Sequence, residues 1–346
     1  MNATIALFLL QDGVINGAIY ALLGVTLVLI FAVTRVIFVP QGELAAWGAL
    51  TLAAFEAGTV PGTAPLLVLL GLTCAGFDGL RQRKQMTAMR LIEMGLRDIA
   101  LPLALWALCI WLAPQKPALW LSVLLTVALI VPMGPMMYRL AFAPIADASV
   151  LTLFIGAIGV HFACTGVGLL FFGAEGFRTT PFIAGVFPVG VLMVKGQSLV
   201  VLALTVVSLI GLYIFFDKTL LGKALRATAV NRLGARLVGI PTQSTGRFAF
   251  ALGAGIAALS GTMIGSLTTI SYDSGFIISL KGFVAAIAAG LASYPLTVIA
   301  ALGVGILESF SAFFASAFKE VIVFSIIIPM LIWRSLVVRH NDEEEE

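Results

Sequence analysis

The chain has 346 residues, of which 60% are hydrophobic and 11% are charged, and its formal net charge is +3. This composition, with a mean hydropathy of +1.10, excludes a soluble globular protein. The basic residues are spread over short polar segments instead of one face, so nucleic-acid binding is not expected.

A membrane-spanning helix needs about 20 apolar residues, so the chain has room for about ten or eleven such helices. No stretch alternates with a period of two, and open strands cannot cross lipid, which favours helical spans. We therefore predict an all-α polytopic membrane protein with a single transmembrane domain over residues 1–346. Cys74, Cys109 and Cys164 each lie within an apolar run without metal-ligand spacing. They are predicted to be buried, with no metal site and no cofactor.

The first predicted span covers residues 13–33. No basic residue precedes it and Arg35 follows it, which is not the pattern of a signal peptide. We therefore predict that the N-terminus is outside and Arg35 inside. Gly13, Gly17, Ala21 and Gly24 lie near one face of this span, where small residues allow another helix to approach closely.

A second span, 45–56, is predicted after Pro40, Gln41, Gly42 and Glu43. Residues 66–117 then form an unusual segment, in which two apolar runs flank a cluster of basic residues. The runs are 66–77 and 99–112, and the basic residues are Arg81, Arg83, Lys84, Arg90 and Arg97. We interpret the segment as an extra membrane hairpin with a basic cytoplasmic helix at its tip, and favour a structural or lipid-contacting role over a regulatory one.

The remaining predicted spans are 119–138, 150–172, 199–216, 248–269, 295–313 and 321–333. The run 282–291 is short and either crosses the membrane or is re-entrant. A crossing is favoured because it keeps Arg334, Arg339 and the C-terminus inside. Most of the 20 Lys and Arg residues then lie inside, whereas the outside retains Lys116, Arg178, Lys195, Lys281 and Lys319.

Residues 217–247 form a charged loop between two long apolar runs. The loop carries basic residues typical of a cytoplasmic side, among them Lys223, Arg226, Arg232 and Arg236. Its apolar residues Val230, Leu233 and Leu237 share one face of a predicted amphipathic helix over 224–240 that ends at Gly239. Such a helix either lies on the lipid surface or docks into a partner.

Four blocks of sequence resemble one protein family. They are Asn16-Gly17-Ala18-Ile19-Tyr20-Ala21-Leu22, Gln41-Gly42-Glu43, the loop segment with Asn231 and Ala235-Arg236-Leu237-Val238-Gly239-Ile240, and Lys281-Gly282-Phe283 followed by Gly290-Leu291-Ala292-Ser293. In this order they resemble the branched-chain amino-acid family of ABC importer permeases, specifically the shorter of its two permease subunits. The resemblance covers nearly the whole chain except residues 66–117 and the acidic tail, residues 342–346. Phe38 departs from it, because the family carries Asn at this position.

The resemblance implies an ATP-driven importer of branched-chain amino acids or related small amino acids, amides or carboxylates. It implies a bacterial-type cytoplasmic (inner) membrane and three kinds of partner: a second permease subunit in a heterodimer, two ATP-binding subunits and an extracytoplasmic substrate-binding protein. Residues 173–197 suit an outer gate or a docking surface for that protein. The sequence has no nucleotide-binding or hydrolase motif, so the chain is expected to be a transport subunit and not an enzyme.

By the same resemblance, the loop 217–247 would couple ATP hydrolysis to transport. The coupling candidates are Lys223, Arg226, Asn231, Arg232, Leu233, Arg236, Leu237 and Gly239. Leu233 and Leu237 are expected to be anchors buried in an ATP-binding subunit, with Arg232 and Arg236 facing acidic residues around them.

Ionisable residues within membrane segments are costly and mark paired or water-lined positions. The candidates for the translocation path or its gating are Asn16, Tyr20, Gln41, Gly42, Glu43, Lys281 and Glu308. A structural role is favoured for Glu43, because a carboxylate in a first helical turn is stabilised by the helix dipole. Lys281 either snorkels to the outer interface or pairs with Glu308. Glu308 is expected to pair with Lys281 or with a backbone donor and to be a packing or gating anchor.

Two other classes of protein were weighed. An ion-coupled secondary transporter needs a chain of buried carboxylates or histidines, and the sequence offers few. A membrane-embedded enzyme needs a catalytic constellation that the sequence does not show. His161, in the middle of an apolar run, is predicted to be a buried histidine with its hydrogen bond satisfied, and not a metal ligand or proton carrier.

Overall fold

The computed structural model describes residues 3–81, 88–190 and 192–332. Several positions considered above lie outside these residues: Arg83, Lys84, Trp333, Arg334, Arg339 and the acidic tail. The side of the membrane on which the C-terminus lies therefore remains a prediction.

The described chain folds mainly into helices. The helices are α1 Ala3–Thr34, α2 Gln41–Ala57, α3 Thr63–Arg81, α4 Ala88–Gly95, α5 Leu101–Leu112, α6 Leu119–Ile130, α7 Met133–Met137, α8 Val150–Phe172, α9 Gly196–Lys218, α10 Leu220–Val230, α11 Arg232–Leu237, α12 Thr242–Leu267, α13 Ser274–Ala288, α14 Tyr294–Phe314 and α15 Lys319–Ser325. Two π-helical turns, Leu96–Ala100 and Tyr138–Phe142, join neighbouring segments, so that Ile92–Gln115 and Leu119–Ile145 each run as one long helix.

Eight helices among the described residues are long and apolar enough to cross a membrane. They correspond to apolar runs found in the sequence, and the bounds of α8 are those predicted. The helices α2 and α13 are shorter. The expected total of about ten or eleven spans remains a prediction.

The centre of the fold is α1, most of whose length is buried by its neighbours. It runs antiparallel to α14, and the two backbones touch where Gly13 and Gly17 face Gly305. A Cβ atom on Gly305 would lie 2.3 Å from the carbonyl oxygen of Gly13, so only glycine fits there. The close approach predicted for the small residues of the first span is confirmed.

The helices α2 and α12 form a second close crossing. A Cβ atom on Gly261 would lie 1.8 Å from the carbonyl oxygen of Ala45. Because lipid supplies no hydrophobic drive between helices, such backbone contacts hold the central bundle together through van der Waals packing.

The two short helices α2 and α13 begin inside the bundle. The side-chain amide of Gln41, at the start of α2, donates to the carbonyl of Leu23, well before the end of α1. The first turns of the two helices touch, since a Cβ atom on Gly42 would lie 2.1 Å from the carbonyl oxygen of Gly275. Both helices start earlier than predicted, because polar residues that look like loop are satisfied within the bundle.

Residues 173–197 contain an element that the sequence did not predict. Strands β1 Val186–Val189 and β2 Leu192–Lys195 form an antiparallel hairpin, with Phe187 opposite Val194. The hairpin lies at the end of α1, where Gln11 donates to the carbonyl of Met193 at 3.5 Å. The expectation of helices alone holds for the spans and not for this segment.

The loop 217–247 also differs from its prediction. Instead of one helix it forms α10 and α11, with a break at Asn231. Asn231 has an extended backbone and caps α11, because its Oδ1 accepts from the backbone N–H of Gly234 at 2.8 Å. The predicted end of the segment at Gly239 is confirmed by a left-handed backbone (φ 85°) that favours glycine.

Candidate functional site

Tyr20, Lys281 and Glu308, three candidates from different parts of the sequence, meet in one polar network between α1, α13 and α14. The Glu308 carboxylate accepts from the Tyr20 hydroxyl at 2.6 Å and from the Lys281 ammonium at 2.5 Å. The ammonium also lies 3.1 Å from Glu320 of α15. Lys281 and Glu308 are both buried, with 5% and 7% of their surfaces exposed.

This network decides between the alternatives that the sequence left open for Lys281 and Glu308. The two side chains pair with each other, so the Lys281 ammonium does not snorkel to an interface. In a medium of low dielectric, each charge is stabilised only while its partner stays in place. Tyr20 and Glu308 therefore hold α1 against α14, and Lys281 adds α13 to the same contact.

A second polar group surrounds Glu43 in the first turn of α2. Its Oε1 lies 2.7 Å from Nδ1 of His161 on α8, and the His161 ring stacks on Phe276 of α13 at 4.3 Å. His161 is thus a buried histidine with a hydrogen-bond partner, as predicted. Oε2 of Glu43 has no hydrogen-bond partner among the described residues. The positive ends of two helices, α2 and α13, lie beside this carboxylate and favour its charge.

Gln41 and Gly42 take part in the junction of these helices. Gln41 bonds to Thr26 at 3.1 Å, in addition to its bond with Leu23, so it fixes the start of α2 against α1. Gly42 gives α2 its backbone contact with α13. Phe38, the position at which the sequence departs from the resemblance, is fully buried and packs on the ring of Phe250 at 4.6 Å.

Asn16 does not join either polar group. It lines a cavity of about 490 Å³ together with Glu308, at the ends of α9, α12 and α14. The structure therefore divides the seven path candidates among three places: the Glu308 network, the Glu43 junction and this cavity.

The loop candidates present an exposed apolar face. The exposed fractions of Val230, Leu233 and Leu237 are 88%, 68% and 81%. Lys223 and Arg226 are exposed on α10. No described residue of this chain covers the apolar face.

The two loop arginines have a different environment from the one expected. Arg232 donates to the backbone carbonyl of Ala146 at 3.1 Å, and Arg236 donates to the hydroxyl of Thr242 at 3.0 Å. Both guanidinium groups therefore fasten the loop to its own chain, at the start of α8 and of α12. An outward orientation toward a partner was the expectation from the sequence.

One buried ion cluster was missed by the sequence analysis. Arg139 makes a bidentate pair with Asp98 at 2.8 and 2.9 Å and also bonds to Asp78. Arg97 completes the cluster by pairing with its neighbour Asp98 at 2.9 Å. Asp78 and Asp98 belong to the two helices of the 66–117 segment, so the cluster joins this hairpin to the main bundle.

The missed cluster left a weak signal in the sequence. Arg139 follows an apolar run, as a basic residue on the cytoplasmic side would. Asp78 and Asp98 lie among arginines and lysines that suggest a solvated tip. Only their positions, directly after the run 66–77 and directly before the run 99–112, could have indicated that they face each other.

Metal chemistry receives no support from this arrangement. Among the described residues, no group of three or more His, Cys, Asp or Glu side chains is placed to hold an ion. The three cysteines are buried and free.

Long apolar helices, glycine-mediated crossings and paired charges inside the bundle define a multi-pass helical membrane protein. The particular family follows from comparison with known proteins. Residues 9–331 match the family model of the permease component of branched-chain amino acid transport systems, and the chain belongs to this family.

Curated relatives point to the same family. The chain is 26% identical over 215 residues to the high-affinity branched-chain amino acid transport system permease protein BraD of Pseudomonas aeruginosa, covering 60% of this chain and 70% of that protein. It is 28% identical over 201 residues to the permease protein LivH of Escherichia coli, covering 56% of this chain and 65% of LivH. A probable LivH of Methanocaldococcus jannaschii is 31% identical over 140 residues, which are 40% of this chain and 44% of that protein. No solved structure matches.

Proposed function

We propose that the chain is the membrane-spanning permease subunit of an ATP-driven importer of branched-chain amino acids or related small amino acids, amides or carboxylates. Family membership supports the permease role. The observation that carries the ATP-driven part is the exposed apolar face of the 217–247 loop.

This face fits a protein partner. Val230, Leu233 and Leu237 project from two short helices whose charged residues are all basic. Burying one leucine is worth about 1.5–3 kcal/mol, so a groove that covers two of them supplies a substantial part of a stable contact. The basic residues Lys223 and Arg226 beside the face favour an acidic surface on the partner.

The contacts of the loop with other helices would also transmit a displacement of the loop into the bundle. Arg232 and Arg236 tie it to the starts of α8 and α12, and α12 packs closely on α2. A displacement of the loop by an ATP-binding subunit would therefore reach the junction of α2 and α13. Alternating access requires such a mechanical link, because this chain has no nucleotide-binding motif of its own.

The proposed assembly contains a second permease subunit in a heterodimer, two ATP-binding subunits and an extracytoplasmic binding protein, in a bacterial-type inner membrane. The loop 217–247 lies inside with the C-terminus, and the N-terminus lies outside. Residues 173–197, with the β-hairpin, then face the binding protein. The asymmetry of basic residues supports this orientation.

The coupling proposal is tested with Leu233→Asp in the reconstituted complex. We expect severe loss of ATP-binding subunits on co-purification and loss of substrate-stimulated ATP hydrolysis, because a charge would enter the proposed groove. Leu220→Asp is the matched control: Leu220 is 86% exposed in the same loop but lies at the start of α10, away from α11.

The possible results separate the alternatives. Normal assembly and coupling in Leu233→Asp would overturn the coupling role. A complex that stays assembled while only the membrane association of the loop weakens would indicate a loop that contacts lipid instead of a partner. Substrate uptake that needs an ion gradient and no ATP would favour the ion-coupled secondary transporter.

A further inference from the structure

The cavity beside Glu308 has features of a ligand site. Its volume of about 490 Å³ falls in the range of small-molecule sites, about 300–1,000 Å³. Its polar lining comes from four helices, α1, α9, α14 and α15, and from Lys195 just before α9. The polar residues are Asp12, Asn16, Lys195, Ser198, Glu308, Ser309 and Lys319.

The cavity lies on the membrane side opposite the 217–247 loop. The helix α9 starts next to Lys195 at the cavity and ends at Lys218, where the loop begins, and it is long enough to cross a membrane. The helix α12 returns from the loop and ends at Leu267, which also lines the cavity. If the loop meets ATP-binding subunits, the cavity faces the side from which substrate is delivered.

The charges of the lining are balanced. It holds two carboxylates and two ammonium groups. Glu308 is paired with Lys281, and Lys319 lies 3.7 Å from Glu320. Asp12 and Lys195 form no ion pair with any residue that the structure describes, and both are exposed. The cavity thus offers one available carboxylate and one available ammonium group.

The rest of the lining is apolar. Leu9, Ile15, Leu267 and Phe313 contribute side chains to the same cavity. An apolar wall beside two opposite charges suits a molecule that has a carboxylate, an ammonium group and a hydrocarbon side chain. A ligand with only one of the charges would form only one of the two ion pairs.

We propose that this cavity is an outer receiving site for a zwitterionic amino acid with an aliphatic side chain. Asp12 accepts the α-ammonium group, Lys195 donates to the α-carboxylate, and the apolar wall covers the side chain. The Tyr20–Glu308–Lys281 network lies at one wall of the cavity and holds α1, α13 and α14 together there. The proposal rests on the proposed function and names residues that select the substrate class.

The test uses Ala312→Cys as a reporter, because Ala312 is exposed in the cavity and the three native cysteines are buried. Right-side-out membrane vesicles carrying the complex, without binding protein, are treated with a membrane-impermeant thiol reagent. We expect leucine at millimolar concentration to slow labelling several-fold. Its keto acid 4-methyl-2-oxopentanoate and the amine isopentylamine, each lacking one charge, should slow it much less.

Charge removal gives the second part of the test. Asp12→Asn and Lys195→Gln, each combined with Ala312→Cys, should abolish protection by leucine. Glu175→Gln is the control, since Glu175 is exposed in the 173–197 segment and does not line the cavity. It should leave protection unchanged.

The outcomes distinguish this proposal from the function on which it rests. Equal protection by the three probes, no protection by leucine, or full protection in Asp12→Asn would each overturn the receiving site. If the Ala312→Cys complex still imports leucine with ATP and binding protein, the proposed function stands despite that result. Absence of ATP-dependent uptake of any amino acid would instead contradict the proposed function.

Discussion

Two buried ion clusters stabilise different parts of this molecule, and they differ in what surrounds them. The Lys281–Glu308 pair lies between α1, α13 and α14, beside an open cavity. The Arg139–Asp98 pair lies between the 66–117 hairpin and the main bundle, and Asp98 is fully buried. The Lys281–Glu308 pair thus borders a cavity, whereas Arg139 and Asp98 are enclosed by protein. The second pair joins two parts of the fold, so an ionised residue within an apolar helix does not by itself mark a transport path.

The largest expected effect is on the enclosed cluster. Arg139→Met would leave the buried Asp98 without its main cation, and breaking one partner of a buried pair costs about 3–5 kcal/mol. We expect a strong fall in thermal stability of the purified protein in detergent. Arg97→Gln is the milder control, because the Arg97 side chain is 42% exposed. Wild-type stability of Arg139→Met would show that the hairpin is not held by this cluster.

The next largest effect is expected on transport, when the Lys281–Glu308 pair is changed. Glu308→Gln should lower ATP-dependent uptake by about tenfold at matched expression, equivalent to ~1.4 kcal/mol, because Lys281 keeps its charge and retains only Glu320. Glu43→Gln should have a smaller effect, since its partner His161 can be neutral. Uptake is measured in proteoliposomes with binding protein. Equal uptake by the two variants would contradict the prediction that Glu308 matters more for transport than Glu43.

A smaller effect is expected from the helix crossing next to the central cluster. Gly305→Ala would place a methyl group against the backbone of Gly13, and overpacking of this kind costs about 1–3 kcal/mol. Moving α14 away from α1 would also stretch the Tyr20–Glu308 bond and reduce uptake. Gly303→Ala, with nothing within 4 Å of the added methyl group, is the control and should be neutral or slightly stabilising. Wild-type stability and uptake in Gly305→Ala would argue against a rigid crossing of α1 and α14.

The smallest effect is expected for Tyr20→Phe. It removes one hydrogen bond to Glu308 but leaves the carboxylate paired with Lys281, so no buried charge loses its ionic partner. We expect modest loss of stability and uptake that falls less than in Glu308→Gln. A larger loss than in Glu308→Gln would mean that the hydroxyl itself takes part in transport.

The sequence predicted the long spans well, because a continuous apolar run has few other stable arrangements in lipid. It also gave the Lys281–Glu308 pair as one of its alternatives, since each charge lies alone in its run. It failed where polar residues find partners within the bundle: the starts of α2 and α13, and the cluster around Arg139. Such partners come from distant segments, so no local pattern marks them.

Two smaller features of the structure also could not be predicted from the periodicity of the sequence. The break at Asn231 arises from a side chain that caps α11 and competes with a continuous helix. The hairpin β1–β2 is short and lies outside the spans, where alternation over four residues is a weak signal.

The junction of α2 and α13 has a consequence for biogenesis. The Ser279 hydroxyl donates to the carbonyl of Val39 at 3.1 Å, although the two residues are 240 positions apart in the chain. While the ribosome is still making the middle of the protein, Val39 and Gly42 are therefore without their contacts in α13, although Gln41 already has its partners in α1. The final placement of α2 in the bilayer must wait until α13 has been synthesised, which makes the last third of the chain a requirement for folding the first.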